Sequence, residues 1–328
     1  MTTSLAAPET LVEAIRYFAD PDVALAFVAD LRWPDGVTCI ACESKNVSFL
    51  TTRRIWKCRE CRRQFSVKLG TIFEDSPIGL GKWLPALWML ANCKNGISSY
   101  ELARALGVTQ KTAWFMLHRI RLAMQTKSFQ KMGGKRRTIE ADETYVGGKR
   151  GNMHKAKRTR VAPATGTQHL QAVFGMLERK SSDKPSAVRL AHIQTTKKHE
   201  LEQHIRENVA HGSELHTDAH PSYRRLAQIS FGEDFKHRAV DHAVAYVDGH
   251  VHTNGMENFW SLLKRTIKGT YVSVDPIHLW RYLDEQARRF NERTATDGQR
   301  FVSVLRDIIG KRLTYDGLIS ADTLPATT

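Results

Sequence analysis

The order of apolar and polar positions divides the chain into stretches of different period. Around residues 9–30, Leu11, Ile15 and Phe18, then Val23, Leu25, Ala26, Val28 and Leu31, recur at mixed helical spacing, which predicts one or two short helices. Pro21 suits a helix start. From Trp33 to about Leu69 the pattern breaks into short strand-like pieces between turns. Helical spacing returns at 78–91, where Trp83, Leu87, Leu90 and Ala91 make one stripe. Residues 98–124 predict two helices joined by a tight turn. Ser98 with Glu101 forms a capping box, Gly107 ends the first helix and Thr109 caps the second.

After a basic stretch at 127–137 the period changes again. Strands are predicted at 138–146, 168–178, 186–193 and 213–217, and helices at 197–209, 221–228, 255–268 and 276–292. The basic segment 147–167, rich in Gly, Thr and Ala, reads as a mobile loop, and the last ten residues as a frayed end. The domain order expected from these shifts is an N-terminal helical segment (1–32), a metal-bound module (33–70), a helix pair (71–126), a linker (127–137), an α/β domain (138–295) and a C-terminal tail (296–328).

Composition places the chain among globular proteins. Its 328 residues allow two or three domains, with 41% hydrophobic and 25% charged residues. No apolar run reaches the ~18 residues that would span a membrane. The N-terminus lacks a basic segment followed by an apolar one, so no signal peptide is visible. The expectation is a cytoplasmic, nucleoid-associated protein with no membrane partner. Charge sharpens this, because 49 basic against 34 acidic residues leave a net +15, which favours a polyanionic partner such as nucleic acid. A merely basic surface is the alternative, but residues 127–160 hold eleven Lys and Arg against three acids. That is clustering rather than a diffuse excess.

Four of the five cysteines form two pairs, Cys39-x2-Cys42 and Cys58-x2-Cys61, fifteen residues apart. Two such knuckles supply four thiolates for one tetrahedral ion, and structural Zn2+ is the expected metal. An iron–sulfur centre is the alternative. With few large apolar residues in 33–69, the ion is expected to substitute for a core. Cys93, at the end of an apolar helical stretch, reads as a buried structural thiol. Basic Arg53, Arg54, Lys57, Arg59, Arg62 and Arg63 are interleaved with Trp56 and Phe65. They read either as DNA contacts or as a solvated face.

The 98–124 segment has the length and turn of a helix-turn-helix. Its second helix would offer Thr109, Gln110 and Lys111 at its N-terminal end to base edges and phosphates, while Ala103, Leu106, Val108, Ala113, Leu117 and Ile120 pack inward. An ordinary helix pair in a bundle is the alternative.

The chemistry-bearing residues lie further on. Glu140, Asp142 and Thr144 share one face of the strand predicted at 138–146, and Glu143 faces the other way. Asp218 ends the strand predicted at 213–217. Glu257 and Lys264 are seven residues apart on a predicted helix, so they lie on one face roughly 10 Å apart along its axis. Singly, each acid could be a solvated or capping group. Together, three carboxylates around two Mg2+ ions, for which Mn2+ can substitute, would activate a nucleophile and stabilise the leaving oxygen of a phosphodiester. His216, His220, His250 and His252 raise a zinc-hydrolase alternative, but their spacing follows no familiar ligand motif.

The order of a zinc ribbon, a helix-turn-helix, Asp142-Glu-Thr-Tyr-Val-Gly-Gly-Lys149, Thr217-Asp218-x4-Tyr223 and His252-Thr-Asn-x2-Glu257-x2-Trp260-Ser-x2-Lys264-Arg265-x3-Gly269-x-Tyr271 resembles the IS1595 (ISXO2-like) insertion-sequence transposases. The run His278-Leu-x2-Tyr282-Leu-x-Glu285-x2-Arg288-Arg-Phe-Asn291-x-Arg293 fits as well, and the resemblance covers roughly residues 20–295. It implies an RNase H-like α/β catalytic domain, a mixed sheet flanked by helices, running DD(E/N) strand-cleavage and strand-transfer chemistry. It also implies that Asp142, Asp218 and Glu257 bind the metals and that Lys149, Lys264 and Arg265 meet DNA. Asn254 is the alternative third residue. Double-stranded DNA, as element ends and target, and a homo-oligomer on that DNA are the expected partners. The rivals are a DNA-binding regulator without catalysis and a metal-dependent nuclease.

Overall fold

In the computed structural model, which describes residues 7–125, 130–148, 155, 170–218, 222–223, 235–240 and 251–320, the chain falls into two units. One joins residues 1–125 to 292–328, and the other is residues 126–291.

The first unit opens with two capped helices. Thr10 and Glu13 cap α1 (Leu11–Tyr17) reciprocally, and Asp20 caps α2 (Pro21–Arg32), which has Pro21 at its first position. An antiparallel sheet of β1 (Val47–Leu50), β2 (Ile55–Cys58) and β3 (Gln64–Phe65) follows. The helix α3 (Leu80–Asn92) is buried nearly all round, from Trp83 to Ala91. Ser98 and Glu101 cap α4 (Ser99–Leu106), which ends at Gly107 with a left-handed φ of 58°. Thr109 caps α5 (Gln110–Met124).

Three findings differ from the sequence reading. The small sheet does not depend on a metal alone, since Trp56 and Phe65 pack on Trp33 at 5.4 and 6.0 Å and join the core of the whole unit. The segment read as a tail carries helices over Asp297–Arg306 and Tyr315–Ile319. Phe301 from the first of these is fully buried against Phe18, Phe27 and Trp88, with ring centres 5.0–6.2 Å away. Cys93 is half-buried rather than buried, at the end of α3.

The second unit begins with β4 (Met132–Gly133), inside the expected linker, and β5 (Thr138–Val146). It continues through β6 (Gln171–Glu178), β7 (Ala187–Ile193), α6 (Lys198–Asn208), β8 (Val209–Ala210), β9 (Ser213–Asp218) and β10 (Phe235–Val240). Two further helices, α7 (Asn254–Thr266) and α8 (Leu279–Asn291), complete it. Five strands form one mixed sheet in the order β10-β9-β5-β6-β7. β5, β6 and β7 run antiparallel in succession, whereas β9 is parallel to β5 and β10 parallel to β9.

Alternation along the strands sorts their side chains into two layers. On one face Ile139, Ala141 and Phe174 pack with Leu201 and Ile205 of α6. On the other, Val173, Leu177 and Val146 pack with Met256, Phe259, Trp260 and Leu263 of α7 and with Leu279, Tyr282 and Leu283 of α8. β6 is therefore buried on both faces, which explains its nearly continuous apolar sequence. Apart from Gly147, Gly148 and Lys155, the basic segment 147–167 lies outside the described residues, as does the helix expected at 221–228 apart from Ser222 and Tyr223. No helix among the described residues is long and apolar enough to cross a membrane.

Candidate active site

The first two acids sit where two parallel strands part. The β5–β9 ladder runs from Thr138 opposite Glu214 to Glu140 opposite His216 and then stops. Asp142 and Asp218 are each two residues past that last pair, so they stand at the same level beyond the ladder. β5 turns to β6 on one side, and β9 lies on the other. A crevice at the carboxyl ends of parallel strands, at such a reversal of direction, is where open α/β sheets bind ligands.

α7 brings the third acid to this face of the sheet, and a buried carboxylate fixes where it docks. Glu140, 1% exposed, accepts from the backbone N–H of Met256 at 2.9 Å in the first turn of α7 and from Arg179 Nε at 2.6 Å. Arg179 also donates to the His252 carbonyl at 2.7 Å, just before the helix. The helix N-terminus carries partial positive charge, so the acid, the arginine and the helix end satisfy one another. The docking is close. A Cβ on Gly255 would meet Glu140 Oε2 at 2.7 Å, and one on Gly175 would meet the Trp260 ring at 2.6 Å. Gly175 is the β6 partner of Asp142. Its missing side chain lets Trp260 lie across β6 and donate from Nε1 to Asp142 Oδ2 at 2.9 Å.

Asp142 is largely buried, and burial pushes its carboxyl up to about 6. The Trp260 N–H works against that rise, while the negative charges of Asp218 and Glu257 add to it. Glu257 itself is exposed, with Thr253 Oγ1 donating to it at 3.2 Å. Asn254, the first residue of α7, is exposed as well. Lys264 and Arg265 follow Glu257 two turns along the same helix. The three carboxylates do not close into one tight cluster, because among the described residues only the cysteines bring three or more metal-binding side chains within 4.8 Å of one another. His216 lies beside Glu214 at 2.9 Å, and His252 Nδ1 is engaged by Arg179 at 2.8 Å. His220, His250 and Lys149 lie outside the described residues.

Trp260, Glu140, Arg179 and Gly175 are supports that sequence reasoning left without roles. Two left a signal: an acid inside a strand needs a partner if buried, and a lone glycine in the apolar run of β6 marks close approach.

In the first unit the four cysteines do converge. Cys39 Sγ lies 3.6 Å from Cys61 Sγ, and Cys42 Sγ 3.6 Å from Cys58 Sγ. Thiolates bonded at about 2.3 Å around a tetrahedral ion would stand roughly 3.8 Å apart, so the cluster fits Zn2+. The two knuckles share a backbone pattern. The N–H of Cys39 bonds to the carbonyl of Ser44 and that of Cys58 to Arg63, both at 2.9 Å. Glu43 and Arg62, each following a second cysteine, have left-handed φ of 58° and 61°. A backbone N–H at Ala41 holds the Cys39 thiol down to about 7. Against a backbone N–H at Ser44, neighbouring sulfurs push Cys42 up to about 12. A bound divalent cation relieves that conflict between sulfurs.

The residues expected at the end of α5 are engaged locally. Thr109 accepts from the Thr112 N–H at 3.2 Å, Gln110 Nε2 donates to Ser99 Oγ at 2.8 Å, and Lys111 Nζ lies 4.9 Å above the Tyr315 ring. Thr109 and Lys111 remain exposed.

Comparison with known proteins adds the decisive match. The ISXO2-like transposase domain matches residues 132–291, and the transposase zinc-ribbon domain of the same family matches residues 20–64. The chain belongs to the IS1595 family of transposases. A relative described as an uncharacterized protein in transposable element ISH50 of Halobacterium salinarum is 25% identical over 261 residues, spanning 76% of this chain and 84% of the relative. The crystal structure of the Mos1 strand transfer complex aligns over 66% of this chain and 78% of its own at 15% identity, with a TM-score of 0.21, which carries no argument. The family assignment makes the chain a transposase of an insertion sequence with a zinc-ribbon domain and, as a transposase, an enzyme acting on DNA.

Proposed function

We propose that this transposase cleaves the ends of its insertion sequence and joins them to target DNA with a DDE site made of Asp142, Asp218 and Glu257. The observation that carries the reading is the placement of the acids. Asp142 and Asp218 are level with each other past the end of the β5–β9 ladder, and the charge of Glu257 acts on Asp142 from α7. The strand order β7-β6-β5-β9-β10, an antiparallel meander followed by two strands parallel to its first, supports an RNase H-like domain.

The donor set suits two Mg2+ ions. It is all carboxylate, and no cation among the described residues lowers the largely buried Asp142. Bound there, the ions would supply Lewis-acid stabilisation and a nucleophile at neutral pH. Ions about 3.5–4 Å apart let the two outer carboxylates bind different ions, so the acids need not close into a single cluster. Trp260 fixes the orientation of Asp142. Lys264 and Arg265 would hold the phosphate backbone beside the site. Glu257 is the third residue in this reading, since its charge reaches Asp142, and Asn254 is the alternative.

The zinc ribbon and the α4–α5 pair, read as a helix-turn-helix, would recognise the element ends, with Thr109, Gln110 and Lys111 at the exposed end of α5. Phosphate contacts from the basic residues, Lys149 included, would weaken with salt. Two ends have to be joined, so the reading includes a homo-oligomer on DNA, at the nucleoid. Purified protein with Mg2+ on oligonucleotides carrying pre-cleaved ends of its own element tests the reading. Joined product supports it. Cleavage without joining would make the protein a nuclease, and binding alone a regulator.

A further inference from the structure

The pairing that fixes Asp142 relative to Asp218 is missing where it is needed, because the β5–β9 ladder ends at Glu140 and His216. A side-chain bridge crosses this open end. Tyr223, five residues after Asp218, donates its hydroxyl to Glu143, the residue next to Asp142, in a very short hydrogen bond. Tyr223 is 0% exposed and packs in the layer that holds Ile139, Ala141, Phe174 and Leu215. Glu143 points to that layer and Asp142 to the other.

We propose that the Tyr223–Glu143 hydrogen bond is the tie that sets the spacing of Asp142 and Asp218, and that both residues act by positioning these metal ligands. The inference rests on the metal-site reading above. The tie holds Tyr223 against β5 on one face of the sheet, while Trp260 holds the Asp142 carboxylate on the other. The negative charge of Asp218 reaches Glu143 as well as Asp142, so these groups share one electrostatic neighbourhood. Groups that orient metal ligands typically change metal affinity by about 10–100-fold when lost, and this tie acts on Asp142 through its neighbour Glu143.

The test uses the full, zinc-loaded chain with Mn2+ as the probe, its binding followed by electron paramagnetic resonance of the free ion. Tyr223→Phe keeps the ring and removes the bridge, and should weaken Mn2+ binding about tenfold or more. Joining by that variant should climb back towards the wild-type rate as Mn2+ is raised, since the bridge sets affinity rather than chemistry. Glu143→Ala removes the same bridge from its less buried side and should show the same loss, which keeps the test valid if Tyr223→Phe folds poorly. Glu143→Gln retains an acceptor oxygen and should bind Mn2+ within about threefold of wild type. Asp142→Asn is the reference for the site itself. If Asp142→Asn loses Mn2+ while Tyr223→Phe and Glu143→Ala bind like wild type, the site stands and this inference falls. If Glu143→Ala and Glu143→Gln both bind weakly while Tyr223→Phe binds like wild type, charge at Glu143 matters and the bridge does not. If Asp142→Asn also binds normally, the metal-site reading itself is wrong.

Discussion

Replacing Asp142 by Asn should stabilise the Mg2+-free protein, and only above a defined pH. Burial raises the Asp142 carboxyl from its ordinary 3.8 to about 6 in the folded chain. Well below pH 3.8 the group is protonated whether the chain is folded or not. As pH rises through about 6 the folded chain has to ionise a buried acid, and stability is lost. A gap of about two pKa units, at 1.36 kcal/mol each, amounts to about 3 kcal/mol at pH 8. Asn has the same shape, cannot ionise, and keeps an oxygen for the Trp260 N–H that now lies 2.9 Å from Asp142. The variant should therefore melt roughly 5–10 °C above wild type at pH 8, with the advantage shrinking towards zero as pH falls to 4. Calorimetry across that range without Mg2+ is the assay. Adding Mg2+ should then stabilise wild type and leave the variant unmoved. A pH-independent difference, or a variant no more stable at pH 8, would refute the claim that Asp142 is a strained, cation-requiring acid.

Other changes test the supports. Gly175→Ala would put a Cβ 2.6 Å from the Trp260 ring; it should cost about 1–3 kcal/mol in urea unfolding and slow joining by displacing Trp260 from Asp142. Arg179→Met leaves Glu140 buried with the Met256 N–H and only the His252 ring, 3.5 Å away, in place of the guanidinium, and should cost about 3 kcal/mol, read by the same unfolding. Cys58→Ser should lower bound zinc in metal analysis to near nothing and weaken binding to element ends about tenfold or more in gel-shift titrations, because the fully buried thiol serves both the ion and the core. Asn254→Ala should join ends at near the wild-type rate while Glu257→Gln should not, and the reverse would hand the third position to Asn254.

Much of this arrangement is legible in the chain before any coordinates. The strand expected at 138–146 is β5 to the residue, because its alternation is regular and its ends are marked. The helix expected at 255–268 is α7 within two residues at each end, and the capping box at Ser98 forms as its residue types dictate. β10 was not legible. Its sequence, Phe-Lys-His-Arg-Ala-Val, is mostly polar, and it is a strand because β9 offers a parallel edge. The Asp297–Arg306 helix had its signal in Thr296 and Gln299, a capping box read as part of a tail. At the site the acids announce themselves by type and spacing. Their supports do not, because Glu140 with Met256, Gly175 with Trp260 and Tyr223 with Glu143 are contacts between distant segments that only the packed sheet creates.

The central claim is that three carboxylates form one site that joins DNA. The direct measurement is single-turnover joining of a pre-cleaved element end with Mg2+, comparing wild type with Asp142→Asn, Asp218→Asn and Glu257→Gln, each shown to bind the end. The account predicts joined product from wild type and a loss of at least about a thousandfold in each of the three. Joining at a wild-type rate by any one of them would contradict it.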